Sequence, residues 1–171
     1  MILRPSIVFG PEDQFFNRFA ELAKFAPALP AIGGGTTRLQ PVYVGDVATA
    51  IVRALEGTDA AGKTYELGGP GIYTFNQLYD FIFEHTGRKR LKLGLPFTIA
   101  KPMGTAMAGL FRAKSMVLGD FLGGPPITGD QVEMLKSDNV ISGGALTLAD
   151  LGIAAPVSID DVVPDYLQAY R

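Results

Sequence analysis

The sequence contains no cysteine, and its only histidine is His85. The absence of cysteine excludes disulfide bonds, thiolate catalysis and cysteine-ligated metals, and one histidine cannot build a histidine cluster, so no metal site is expected. Charge is also sparse, because charged residues make up 19% of the 171 residues and the formal net charge is −2. Since no basic stripe stands out along the chain, nucleic acid is not an expected partner.

Long hydrophobic runs are lacking too. The N-terminus has no basic start followed by a long apolar run, so no signal peptide is predicted and the expected location is the cytoplasm. The stretch most similar to a membrane span, Leu93 to Phe111, contains Lys101, two prolines and several glycines. This composition disfavours a spanning helix and predicts a mostly buried helix or a lid over a pocket.

The composition that remains is that of a globular chain with many turns. Apolar residues make up 47% of the sequence, which also holds 21 glycines and 12 prolines. The length fits one domain over residues 1–171. The apolar patterns run in the order strand, helix, short strand, helix, strand, helix and a mainly helical tail, which predicts the α/β class.

The first predicted strand is an apolar run from Ile2 to Phe9, interrupted by Arg4 and Pro5. Such strands are normally covered on both faces inside a parallel sheet, so we expect further sequence to precede this one. A helix over about residues 12–25 should follow the strand, with its apolar side formed by Phe15, Phe16, Phe19 and Leu22.

Further elements are predicted from turn and capping signals. Gly33–Gly35 indicates a tight turn before an extended segment from Leu39 to Val44, and Asp46 is expected to cap the next helix. The remaining signals predict a strand over Thr64 to Leu67 and capped helices that begin at Thr74, Thr128, Thr147 and Ser158.

Common catalytic motifs are missing. The chain has no G-x-G-x-x-G turn, no phosphate-binding G-x-x-x-x-G-K-[ST] loop and no G-x-S-x-G elbow. His85 lies near a predicted helix end, where a cation favourably meets the helix dipole. The acid pairs Glu12–Asp13 and Asp160–Asp161 lie at predicted helix starts, where dipole stabilisation is a simpler role than catalysis.

One polar segment has more specific chemistry. Between the glycine turn and the next helix, Arg38, Gln40 and Tyr43 surround a short apolar strand. Arg38 has the donor fork that binds anions, and Tyr43 can donate a hydrogen bond or stack on a ligand. A solvated arginine and a packed tyrosine are the alternative, which the local pattern leaves open.

Two motifs resemble a known superfamily. The run from Arg4 to Pro11, RPSIVFGP, is similar to the R-P-x-x-V-[YF]-G-P strand and turn of extended and atypical short-chain dehydrogenases/reductases, the NAD-dependent epimerase/dehydratase superfamily. The run from Gln40 to Ala48, QPVYVGDVA, resembles the later [IV]-[HY]-V-x-D-[VL]-A signature. The resemblance extends to Tyr166–Leu167 and is closest to the subgroup of the NADPH-holding accessory subunit of respiratory complex I and its bacterial relatives.

The resemblance implies the C-terminal part of a Rossmann-like fold, with a few sheet strands and a mainly helical subdomain on the substrate side. The family glycine motif and catalytic Tyr-x-x-x-Lys are absent, since no tyrosine has a lysine four residues later. In the family, the turn after the first strand reaches the nicotinamide of NAD or NADP, which implicates Pro5, Ser6 and Ile7. The intact protein should bind one of these cofactors, whereas this part alone should bind neither tightly.

On the substrate side, the resemblance implicates Arg38, Gln40 and Tyr43. The family's sugar-nucleotide epimerases usually have Asn at the position of Ile7 and often a phosphate-binding Arg at the position of Leu39, so a nucleotide sugar is not favoured. Four apolar residues between Leu95 and Phe111 would face an apolar substrate, with core packing as the alternative. These residues are Phe97, Met103, Met107 and Phe111.

Three hypotheses for function remain open, two from the resemblance and one from the open edge of the sheet. In the first, the intact protein is an NAD(P)-dependent reductase, epimerase or dehydratase acting on a small molecule, and this part alone is inactive. In the second, it is a non-catalytic NAD(P)-binding accessory or assembly protein of NADH:ubiquinone oxidoreductase, peripheral at the inner membrane. In the third, the exposed edge of the sheet pairs with a partner, most simply in a homodimer.

Overall fold

The computed structural model describes residues 1–57, 60–106 and 128–171. Short strands alternate with helices in these ranges, so the predicted α/β class is confirmed. The strands are β1 (Ile2–Pro5), β2 (Val8–Phe9), β3 (Ala28–Ile32), β4 (Arg38–Leu39), β5 (Val42–Tyr43), β6 (Thr64–Leu67), β7 (Tyr73–Thr74) and β8 (Leu91–Leu95). The α-helices are α1 (Phe16–Phe25), α2 (Val44–Glu56), α3 (Phe75–Thr86), α4 (residues 97–106), α5 (Gly129–Met134) and α6 (Ile159–Leu167).

The strands of the described ranges form four two-stranded sheets. Three pairs are parallel, namely β1 with β6, β2 with β5 and β3 with β8, whereas β4 and β7 are antiparallel. Parallel neighbours need a long crossover connection. Here every such connection contains at least one helix, which is the βαβ arrangement.

The main core lies where α1 packs against α3 and α6. Aromatic rings meet edge to face in it, with ring centroids 5.1 Å apart for Phe19 and Tyr79 and 4.9 Å apart for Phe75 and Tyr79. Edge-to-face contacts add to the stabilisation that burial of the rings provides. A second, smaller core lies beneath α2 and includes Ala50, Ala54 and Leu67.

Most local signals are confirmed. Complete capping boxes begin α3 at Thr74, α5 at Thr128 and α6 at Ser158. The signal at Thr147 precedes only a short 3₁₀ turn, Ala149–Leu151. The predicted turn Gly33–Gly35 has positive φ at all three glycines, a conformation that residues with a Cβ rarely adopt.

Four local expectations need correction. Helix α1 begins at Phe16 rather than near residue 12, because the residues before it form a turn. The strands β3 and β8 were not predicted, and β8 occupies the first part of a stretch predicted as helix. Ile99 and Met103 of α4 are exposed, so this helix is not mostly buried; Met107 and Phe111 lie outside the described residues.

Asp46 does not cap α2. The N-cap residue is Tyr43, which makes no side-chain cap, and Asp46 lies in the first helical turn. Its buried carboxylate instead accepts a 2.8 Å hydrogen bond from the backbone N–H of Val157. Asp46 therefore ties α2 to the segment that enters α6.

Candidate functional site

A cavity of about 1140 Å³ lies at the carboxyl ends of β1 and β2. In α/β folds, ligands bind at this edge of a parallel sheet. Its wall comes from the β1–β2 strands, the turn before α1, α1 itself, and α5 with the chain after it. The lining residues are Pro5, Ile7, Val8, Phe9, Gly10, Pro11, Glu12, Asp13, Gln14, Phe15, Arg18, Phe19, Leu39, Val44, Phe75, Gln131, Met134, Leu135, Ser137, Asp138 and Asn139.

The wall of the cavity is mostly apolar. Its charged members in the described part of the chain are three acids, Glu12, Asp13 and Asp138, and one base, Arg18. A phosphorylated ligand would meet more negative than positive charge here. The chemistry therefore suits an apolar ligand with few polar groups.

The turn that borders the cavity is built by Gly10 and Asp13. A Cβ added to Gly10 would lie 2.7 Å from Val44 Cγ1, so glycine permits the close approach of this turn to α2. Asp13 Oδ1 accepts hydrogen bonds from the backbone N–H groups of Phe15 and Phe16, at 2.8 and 2.6 Å. Asp13 thus satisfies free donors at the start of α1, as expected for an acid at this place.

The second carboxylate oxygen of Asp13 accepts a hydrogen bond from the hydroxyl of Tyr166 in α6. Burial raises the pKa of Asp13 above its ordinary value, although these hydrogen bonds act in the opposite direction. Burial together with the neighbouring Asp13 raises the pKa of Tyr166. The pair joins the rim of the cavity to the last long helix.

The structure places two of the three predicted cofactor residues at the cavity. Pro5 and Ile7 line its wall, but Ser6 does not. The Ser6 hydroxyl donates to the carbonyl of Asn139 at 2.8 Å and accepts from the N–H of Gln40 at 3.2 Å. Ser6 therefore connects the β1–β2 junction to two other segments. A role of Pro5, Ser6 and Ile7 in binding nicotinamide remains a prediction.

The predicted substrate residues lie outside the cavity wall. Arg38 forms an exposed ion pair with Asp138, with Nη2 2.8 Å from Oδ2. Gln40 bridges the carbonyl of Gly69 and the N–H of Ile141, and the ring of Tyr43 packs against Phe9. Within the described chain these three side chains make internal contacts, and their roles in substrate binding remain predictions.

Sequence reasoning did not find the wall contributed by α5. Gln131 and Met134 of this helix and Leu135 after it line the cavity. The Thr37 hydroxyl donates to the carbonyl of Leu135 at 2.5 Å, which holds this wall against the glycine turn. The two residues are 98 positions apart in the sequence, so no local pattern predicts this contact. Conversely, Phe97 and Met103, predicted to face a substrate, do not line the cavity.

No group of three or more His, Cys, Asp or Glu side chains in residues 1–57, 60–106 and 128–171 is arranged to hold a metal ion. None of the helices in these ranges is both long and apolar enough to cross a bilayer.

Known proteins resemble this chain in both sequence and fold. The sequence profile of the 3-beta hydroxysteroid dehydrogenase/isomerase family matches residues 1–80. The chain is 37% identical over 171 residues, 99% of its length, to NADH dehydrogenase (ubiquinone) 1 alpha subcomplex subunit 9, mitochondrial, of Arabidopsis thaliana. The chain is therefore similar to members of the extended short-chain dehydrogenase/reductase superfamily. The resemblance inferred from the two sequence motifs is thereby confirmed.

A further curated relative and a solved structure are similar to this chain, and the solved structure supports the fold. The NADH-ubiquinone oxidoreductase 40 kDa subunit, mitochondrial, of Neurospora crassa is 31% identical over 170 residues. The dTDP-glucose 4,6-dehydratase DesIV of Streptomyces venezuelae has a TM-score of 0.60 and 19% identity, over 99% of this chain and 43% of that one. The chain spans about two fifths of its curated relatives, 39% of the Arabidopsis subunit and 41% of the Neurospora subunit.

Proposed function

We propose that this chain is the substrate-side portion of an NAD(P)-binding accessory subunit of NADH:ubiquinone oxidoreductase. The observation that carries the proposal is the 37% identity over 99% of the chain to a relative named as a subunit of that dehydrogenase. We further propose that residues 1–171 form one domain, and that the protein is cytoplasmic and peripheral at the inner membrane through its complex.

The cofactor proposal rests on the cavity. Pro5 and Ile7 supply an apolar wall at the carboxyl end of β1, which fits the flat face of a nicotinamide. The phosphate end of a dinucleotide needs a glycine-rich turn that opens a helix, whereas Gly33–Gly35 leads into β4. The chain therefore supplies one end of the site, and on its own it binds neither NAD nor NADP tightly.

The second candidate function is an NAD(P)-dependent reductase, epimerase or dehydratase in the intact protein. The match to a dehydrogenase/isomerase family profile favours it. In such an enzyme the bound nicotinamide supplies hydride transfer, and this chain's apolar cavity would hold the substrate and exclude water. The chain alone would be inactive, since it has no Tyr-x-x-x-Lys. An intact Tyr-x-x-x-Lys elsewhere in the protein would favour the enzyme.

The edge of β1 is a proposed pairing site. Among the described strands, β1 pairs with β6 alone, and Ile2 is exposed. An open edge invites another strand, and for this chain in isolation the simplest partner is a second copy. Light scattering on the isolated chain should therefore give a dimer, and a clean monomer at high concentration would contradict this part of the proposal.

The accessory role is tested in the source organism. An affinity tag at the chromosomal gene allows membranes to be resolved by native electrophoresis and stained for NADH dehydrogenase activity. The tagged protein should migrate with the active complex, and deletion of the gene should reduce the assembled complex. A protein that migrates alone, with an unaffected complex in the deletion strain, would favour the enzyme.

A further inference from the structure

One end of the molecule combines exposed apolar side chains with cations. Phe25 at the end of α1 is 83% exposed, and Leu91 and Leu93 on β8 are 70% and 54% exposed. The Leu91 N–H donates to the carbonyl of Pro27 at 3.2 Å, which brings β8 alongside the chain that leaves α1. Large apolar side chains that are so exposed, on segments joined by a backbone hydrogen bond, mark an interaction surface.

The cations of this surface come from two separate segments. Lys24 belongs to the last turn of α1, and Arg88, Lys89 and Arg90 lie between α3 and β8. Arg90 Nε donates to the carbonyl of Ala23 at 2.8 Å, and Arg88 Nε donates to the carbonyl of Tyr170 at 3.1 Å. These bonds hold one guanidinium group at the C-terminal end of α1 and the other beside the chain that follows α6.

The nearby acids do not cancel this charge. Asp80 is paired with Lys92 at 2.7 Å, and Glu84 borders the same surface depression as Arg88, Lys89 and Arg90. The acid nearest to Lys24 in sequence is Glu21. In the described part of the chain, no carboxylate forms an ion pair with Lys24, Arg88, Lys89 or Arg90. A guanidinium has five N–H donors, so one or two internal bonds leave donors for an anionic ligand.

We propose that this end of the molecule docks on an anionic lipid surface, with Phe25, Leu91 and Leu93 inserted among the headgroups and the cations on lipid phosphates. The apolar side chains suit the acyl boundary of a membrane interface, and the lysine and arginine side chains suit its anionic headgroups. The charge complementarity favours lipid over a second copy, which would bring the same cations together. The surface is distinct from the cavity and from the β1 edge.

Sedimentation with lipid vesicles tests the proposal without any other protein. The chain should bind vesicles of phosphatidylcholine and phosphatidylglycerol much more tightly than vesicles of phosphatidylcholine alone. Lys24→Gln with Lys89→Gln should weaken binding about fivefold for each charge removed. Phe25→Ser with Leu91→Ser should weaken it roughly tenfold. Neither variant alters a residue of the cavity.

The matched controls are Leu55→Ser, at an equally exposed leucine on α2, and Lys63→Gln, at an exposed lysine elsewhere. Both should bind vesicles as the unchanged chain does, with circular dichroism verifying that every variant folds. Three results would overturn the proposal: no vesicle binding, equal losses in the controls, or self-association in light scattering that Leu91→Ser abolishes. All three are independent of the accessory role, because the vesicles contain no complex.

Discussion

The hydroxyl of Tyr166 donates a hydrogen bond to the carboxylate of Asp13, a residue 153 positions earlier in the sequence. Asp13 uses its other oxygen to hold the N–H groups that begin α1. One carboxylate therefore connects the turn at the cavity rim, the start of α1 and the helix α6. This link determines how the rim is positioned relative to the main core.

Removal of this donor should destabilise the chain. Tyr166→Phe is expected to lower the free energy of unfolding by roughly 1.5 to 3 kcal/mol, the value typical of hydrogen bonds to charged groups. It should also raise the pKa of Asp13 further, since the bond favours the carboxylate. Urea denaturation and carboxyl NMR titration measure the two effects. Tyr170→Phe is the control, and equal losses of unfolding free energy in both variants would show that the Tyr166–Asp13 bond has no special effect.

The buried carboxylate of Asp46 provides a second test. Asp46→Ala leaves the Val157 N–H without its acceptor and should lower the free energy of unfolding by about 1 to 3 kcal/mol. Asp46→Asn retains an oxygen acceptor and should lose less. Thermal or urea unfolding distinguishes the two variants. If the alanine variant were as stable as the unchanged chain, the hydrogen bond that joins α2 to the segment before α6 would not stabilise the fold.

Gly69 tests a close backbone approach. A Cβ at this position would lie 2.1 Å from the carbonyl oxygen of Pro41, which cannot move aside as a flexible side chain can. Gly69→Ala should therefore cost roughly 1 to 3 kcal/mol of unfolding free energy. Gly143→Ala meets no atom within 4 Å and serves as the control. If Gly69→Ala left the free energy of unfolding unchanged, the backbone at Gly69 would have room for a Cβ beside Pro41.

The exposed carboxylate of Glu133 predicts that the stability of the chain depends on pH in the acidic range. Hydrogen bonds from Lys101 and Lys136 lower the pKa of Glu133 from 4.5 to about 2. A depressed pKa in the folded state contributes stability above the unfolded pKa, and this contribution is lost as the pH falls from about 4.5 towards 2. Carboxyl NMR should show the low midpoint.

Replacement of the two lysines tests the cause of this shift. Lys101→Gln with Lys136→Gln should return the titration of Glu133 towards its ordinary range. Lys92→Gln removes a cation that pairs with Asp80 instead, so it should leave the titration of Glu133 unchanged. A midpoint that stays low in the double variant would refute the assignment.

Local patterns predicted much of the fold because their partners lie within a few residues. Each capping box uses a side chain and a residue three positions later, so Thr74, Thr128 and Ser158 could be identified directly. Strand β3 contains Pro30, which lacks a backbone donor and obscures a strand signal. Its pairing with β8 joins segments about 60 residues apart, a relationship that no window of sequence contains.

The candidate site was predicted only in part for the same reason. The family resemblance pointed to Pro5 and Ile7, which line the cavity and whose role in cofactor binding stays a prediction. The wall from α5 depends on tertiary contacts such as that of Thr37 with Leu135. The basic surface was also missed, because Lys24 lies more than 60 residues before Arg88 and no stripe is visible along the chain. Folding brings the two segments together.

Calorimetric titration of the purified chain with NADPH and NADH tests whether these residues supply only one end of the cofactor site. In the proposed arrangement the chain supplies the nicotinamide end of the site but no phosphate-binding glycine turn. We therefore expect no measurable heat with either nucleotide, whereas the intact protein should bind one of them. Micromolar affinity of the isolated chain would contradict the claim. It would place a complete nucleotide site within these residues, and the Gly33–Arg38 loop would be the first segment to mutate.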